Sequence, residues 1–156
     1  MNDFTTSLYS WILILHSLWR WPVLLALIAA AFVGWQALVT GRPSNDAVGL
    51  IRRLSVSIVD FQFLLGLLLY VWLSPWPRQF FLGAPGALQN HEVRFFAFEH
   101  FMVMVALLVV VHLGNVFARR SPTPAGKNRQ TALWFTAAVL LVLAGMPWWR
   151  PLLRWP

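Results

Sequence analysis

Four long apolar stretches, separated by short polar punctuation, dominate the chain. They run from about Leu8 to Val39, Ile51 to Leu73, Arg94 to Ala118 and Thr131 to Met146. A helix needs about 20 apolar residues to cross a hydrocarbon core, so the pattern predicts four membrane spans. The breaks between them are written in turn chemistry: Gly41-Arg42-Pro43-Ser44-Asn45-Asp46, then Ser74-Pro75-Trp76-Pro77 with Pro85-Gly86 beyond it, then Arg119-Arg120-Ser121-Pro122-Thr123-Pro124. Pro147-Trp148-Trp149-Arg150-Pro151 closes the last stretch. The first stretch is too long for one perpendicular span, and Arg20 and Pro22 lie inside it. A tilted helix, or first turns lying among headgroups beside Trp11, Trp19 and Trp21, accommodates both. Short connections make consecutive spans antiparallel neighbours. The expected fold is therefore all-α: an integral-membrane up-down four-helix bundle, with residues 1–156 as one transmembrane domain.

Composition agrees with that reading. Of 156 residues, 59% are hydrophobic and 11% charged, where a soluble domain carries about 25% charged. The formal charge of +7 does not point to nucleic acid, because the basic residues sit mostly in short loops between apolar runs. With no cysteine, disulfides, thiolate metal sites and iron–sulfur clusters are excluded. Met1-Asn2-Asp3-Phe4 lacks a basic start and no small-residue cleavage site follows, so a signal peptide is not expected.

Loop charge suggests an orientation. One side carries Arg42, Arg52, Arg53, Arg119, Arg120, Lys127 and Arg129. The other carries Arg78, Arg94, Arg150 and Arg154, with Asp3 and Glu92. The positive-inside rule makes the first side cytoplasmic. The expectation is a multi-pass protein of the bacterial inner membrane with both termini periplasmic.

Ionisable side chains inside a span cost several kcal/mol unless paired, which makes each a functional candidate. His16 and Arg20 lie on the first span, Asp60 on the second, and Glu99, His100 and His112 on the third; the fourth has none. A polar seam between the first three helices follows, with the fourth as packing or lipid-facing cover. Counted from the periplasmic ends, His16 follows Leu8 by eight residues and His100 follows Arg94 by six, so the two lie at matched depth. Two such imidazoles can hold one haem iron between them. Counting from the cytoplasmic ends moves His16 outward by about five residues. That count instead levels Arg20 with Glu99, each nineteen residues before its helix end. An Arg20–Glu99 ion pair is then expected, either as a bundle staple or, through Arg20, as a contact for a haem propionate. His112 lies twelve residues beyond His100, about 18 Å along the axis, and cannot share its iron; it reads as a packed or interfacial residue. Gln62 and Gly66 share a face of the second helix, and Gly66 allows a flat ring or another helix to come close. Asp60 points elsewhere, toward an arginine or a proton path. Met102 and Met104 read as core filler, and His91 as a solvated loop residue. No nucleophile–histidine–acid set, glycine-rich phosphate loop or zinc motif is present.

The strings Leu15-His16-Ser17, Gln62 through Gly66-Leu67 to Tyr70, Ser74-Pro75, Arg94 to Glu99-His100 with Met104, and Met146-Pro147-Trp148 occur in this order along nearly the whole chain. In that order they resemble a small four-helix bacterial membrane family labelled cytochrome b-like. The resemblance implies a four-helix membrane fold and a b-type haem ligated by His16 and His100. Two positions depart from it: Phe101 stands where proline is expected, and Asp60 where other members carry a histidine two residues before the glutamine. If that family histidine is a ligand, His16 and His100 are the pair left here.

The functional expectation is an electron carrier or complex subunit rather than a stand-alone enzyme. It would hold haem b between His16 and His100, beside Arg20, Gln62 and Gly66. Its expected partners are the lipid bilayer, a quinone, or other subunits of a respiratory or photosynthetic complex. The competing expectation is a cofactor-free accessory subunit of a membrane complex. A small transporter using Asp60, Glu99 and the histidines as a proton path ranks third.

Overall fold

A computed structural model of the chain describes residues 3–151; Arg154, counted above in the orientation, lies outside them. Helices joined by short connections make up the described residues, with no strand among them. Helix α1 spans Asp3–Val39 and α2 spans Asp46–Leu73, its last five residues, Leu69–Leu73, forming a π turn. A short α3 follows at Pro75–Phe81. Helix α4 spans His91–Arg120 with a π turn at Phe95–Glu99, and α5 spans Pro124–Gly145.

Local chemistry sets these ends. Asn45 caps α2 by accepting from the Val48 amide, and Thr123 caps α5 by accepting from Gly126, each satisfying an orphan first-turn donor. Asn90 accepts from the Glu92 and Val93 amides at the start of α4. Ser74 and Pro75 begin α3, with proline at a first-turn position where its missing N–H costs nothing. Sequence alone marked that stretch only as a break. Pro22 lies within α1 without ending it. Gly41, Gly83 and Gly86 take positive φ in the connections, which glycine adopts without strain.

Three helices, α1, α2 and α4, are long and apolar enough to cross a membrane. The expected fourth span is shorter than that standard. The first turns of α5 carry Lys127, Asn128, Arg129 and Gln130, leaving an apolar part from Thr131 to Gly145, about 22 Å long.

Contacts between the long helices run in antiparallel register. Ser55 Oγ reaches the Ala26 carbonyl at 2.9 Å while Gln62 meets His16, joining α2 to α1. Gly34 faces Ala132 at one end of the α1–α5 contact, and Gly114 faces Trp134 while Gly145 faces Val103 along α4 and α5. A Cβ on Gly34 would stand 2.6 Å from the Ala132 nitrogen, so the two backbones meet as only a small residue permits. Leu27, Val59, Val111 and Phe135, one from each long helix, form the centre of the core. Helix α5 is thus not mere cover. Phe135 and Ala138 are fully buried, and α5 packs on both α1 and α4.

A histidine cleft as the candidate site

The register of α1 against α2 and α4 brings His16 and His100 together. Their ring centres are 6.4 Å apart and the planes nearly perpendicular, at 79°. The depth match read from one set of helix ends is the one the structure realises. Both rings line a cleft that, with its open mouth, encloses about 1030 Å³. A second chamber of about 490 Å³ lies between α2 and α4. His16, His100, Gln62, Gly66, Tyr70 and Met104 belong to both walls, so the two imidazoles stand where the spaces adjoin.

Each histidine is held differently. His100 Nδ1 lies 2.8 Å from the Gly145 carbonyl oxygen. Carbonyls only accept, so Nδ1 carries the proton and Nε2 keeps its lone pair. The Gly145 carbonyl is free for this because α5 ends there: Met146 is extended and Pro147 has no N–H to offer. On the other side, the Gln62 amide donates to the His16 backbone carbonyl at 3.0 Å and stands 3.4 Å from the His16 Nε2. His16 Nδ1 and Gln62 Oε1 are both buried without a hydrogen-bond partner, an arrangement that costs about 1–3 kcal/mol per atom. Gly66 lies against the His16 ring, where an added Cβ would stand 3.0 Å from Cε1. Gln62 and Gly66 do share the face expected of them, and it is the face turned to His16.

Arg20 lines the cleft and donates from Nε to the Ser17 carbonyl at 2.6 Å. The expected Arg20–Glu99 pair does not form. Glu99 Oε1 instead accepts from Arg94 Nε at 2.8 Å, five residues earlier on the same helix. The reason is the π turn between them. Five residues are about 140° apart around an α-helix, but a π turn closes i to i+5 and stacks them.

Asp60 has a partner that was not expected, while His112 is the interfacial polar residue it reads as. Asp60 Oδ1 lies 3.6 Å from His112 Nε2, with both side chains about half exposed, and His112 Nδ1 lies 2.9 Å from the Leu108 carbonyl oxygen. Asp60 therefore finds a histidine where an arginine was expected. This pair lies apart from the cleft walls.

Sequence reading missed the mouth of the cleft. Arg150 pairs with Glu92 and lies over the Phe96 ring at 4.7 Å and the Trp76 ring at 5.4 Å. Trp149 Nε1 donates to the other Glu92 oxygen at 2.9 Å. Together they fold the segment after α5 across the start of α4. In sequence, Trp148-Trp149-Arg150 looks like any membrane-interface cluster, so nothing marked Arg150 as part of a site. His91 is exposed, as expected, but opens α4 instead of lying in a loop, with its ring edge-on to Trp149 at 4.5 Å.

The lining is largely apolar, and its polar groups are two imidazoles, Gln62, the hydroxyls of Tyr9, Ser17, Tyr70 and Ser74, the Trp76 indole, and the guanidiniums of Arg20 and Arg150, with no carboxylate among the described lining residues. A haem would suit such a lining. An imidazole nitrogen sits about 2 Å from a bound metal, which puts two opposed ring centres roughly 6 Å apart, close to the spacing here. The partnerless ring nitrogen of His16 and the lone pair on His100 Nε2 fit a metal-bearing group, and the two guanidiniums fit its carboxylates, while Gly66 lets the His16 ring itself lie close against α2. No known family model, curated protein or solved structure matches the chain.

Proposed function

We propose that this protein is a b-type haem protein of the bacterial inner membrane, with its four long helices forming an up-down bundle and both termini periplasmic. The observation that carries the reading is the His16–His100 pair, held from different helices at 6.4 Å between ring centres in an apolar cleft. The resemblance to the cytochrome b-like four-helix family supports it independently, through His16, Gln62, Gly66 and His100. His16 and His100 would hold the haem iron through ring nitrogens. Haem so held is a one-electron carrier whose potential depends on its ligands and surroundings. The chain's own residues supply those surroundings. The Gly145 carbonyl orients His100 and raises its basicity. Gln62 tethers His16 to α2. Arg20 and Arg150 offer positive charge to the haem carboxylates. Val23, Met104, Leu107 and Val142 exclude water. Electron exchange with a quinone or with another subunit of a respiratory or photosynthetic complex is the role proposed.

The contrary reading is a cofactor-free accessory subunit, in which the two histidines simply pack. Their edge-on contact and the Gln62 amide beside the His16 ring favour it. One experiment separates the two. A dithionite-reduced minus oxidised spectrum of detergent-purified protein should give a b-type signal, lost in His16→Ala and in His100→Ala. A flat spectrum from a well-folded wild type sinks the haem proposal and leaves the accessory reading.

A further inference from the structure

The opposite end of the molecule holds a second unexplained feature. Arg52 is only 5% exposed, on the second turn of α2. Its Nε donates to Asn115 Oδ1 on α4 at 2.9 Å. No hydrogen bond from its two terminal nitrogens to a described residue is formed, and neither nitrogen is among the fully enclosed, unsatisfied polar atoms. The charges that act on it are Arg53 and Arg119, both positive. Arg119 lies four residues after Asn115, on the same face of α4. Among the described residues no carboxylate forms an ion pair at this end, since the three pairs found are Arg94–Glu99, His112–Asp60 and Arg150–Glu92.

A buried guanidinium beside two others, without a counter-ion, is costly. No carboxylate among the described residues pairs with it. Asn115 contributes orientation rather than charge, because a neutral amide oxygen fixes the plane of the fork and leaves its outer donors turned to an anion. A planar fork suits phosphate oxygens bidentately. The position selects the source of the phosphate. Helices long enough to cross a bilayer end here, and a basic helix end at that level meets lipid headgroups.

We infer that Arg52, oriented by Asn115 and joined by Arg53 and Arg119, binds the phosphate of an anionic phospholipid headgroup between the ends of α2 and α4. The site does not depend on the haem reading, lying at the basic end while the histidine cleft opens toward α3 and the start of α4.

The test is lipid binding to the delipidated full chain in detergent, read by native mass spectrometry. Phosphatidylglycerol is the probe, against phosphatidylcholine and inorganic phosphate. Phosphatidylglycerol should bind more tightly than phosphatidylcholine, weakening about fivefold for each of Arg52→Gln and Arg119→Gln, with Arg78→Gln unchanged. Because Arg52→Gln risks misfolding, Asn115→Asp is the second variant. It hands Arg52 an internal carboxylate, so it should keep the fold and lose the lipid preference. Equal binding of the two lipids, or full binding by Asn115→Asp, overturns the inference. Inorganic phosphate competing at lipid-like concentrations overturns the lipid as ligand and leaves a free-anion site.

Discussion

The Tyr70 hydroxyl donates to the carbonyl oxygen of Ala97 at 2.9 Å, and each residue lies inside a π turn, one ending α2 and one opening α4. The two turns are therefore bonded side by side at one level. A π turn closes five residues instead of four, as in Ser74 N–H to Leu69 O and His100 N–H to Phe95 O. Carbonyls inside such a turn lose their regular partners, and Tyr70 occupies one of them. The Tyr70 ring also stacks on Phe101, next to His100, with centres 4.1 Å apart.

Tyr70→Phe should keep the stack and remove the bridge. A loss of about 0.5–1.5 kcal/mol is expected, read as a lower thermal midpoint. If haem is bound, its spectrum should survive with a shifted potential, because His100 loses a constraint and not its side chain. An unchanged midpoint and potential would show that the bridge is incidental.

Gly66→Ala places a methyl carbon 3.0 Å from His16 Cε1. Within an α-helix the change alone should stabilise by about 0.4–1 kcal/mol. The expected result is thus a split: the apoprotein melts no lower than wild type, while on the haem proposal haem occupancy falls. Full occupancy in Gly66→Ala would mean that His16 can move aside.

Arg150→Ala removes the ion pair with Glu92 and the ring contacts with Phe96 and Trp76. A cost of about 1–3 kcal/mol is expected. The loss should be local, so hydrogen exchange should accelerate over residues 146–151 and the start of α4. Protection unchanged there would show that the segment is held by its apolar contacts alone.

Gly34→Ala drives a methyl carbon to 2.6 Å from the Ala132 nitrogen and 3.0 Å from its Cα. Those are backbone atoms of α5 and cannot turn away as a side chain can. About 1–3 kcal/mol of destabilisation is expected, with α1 and α5 pushed apart. Gly49→Ala meets only the flexible end of Arg53 at 3.4 Å and should be close to neutral in the same melting assay.

Hydrophobic patterning was enough to find the long helices, because apolar runs bounded by Pro, Gly and charge have few other outcomes in lipid. Four things escaped it. Helix α3 was hidden because Pro75 and Pro77 read as breakers, although proline in a first turn costs no hydrogen bond. The π turns left no mark, since one extra residue per turn does not change an unbroken apolar run. Their effect was large even so, as the Arg94–Glu99 pair displaced the expected Arg20–Glu99 one. Pairing across helices depends on register, and the length of the first span made register ambiguous. His16 and His100 were still recoverable from one set of ends, whereas Asp60 with His112 needed the α2–α4 contact itself. Gly145 was out of reach because its role is played by a carbonyl, which every residue has.

The cleft draws His16 from the first long helix, Gln62 from the second, His100 from the third and the Gly145 carbonyl from the last. During synthesis these arrive in order, and the His100 ring has no Gly145 to hold it until α5 has been made and seated. Until then the cleft also lacks Val142 and Met146 from its wall, so the last helix to be made is the one that completes the enclosure around the two imidazoles.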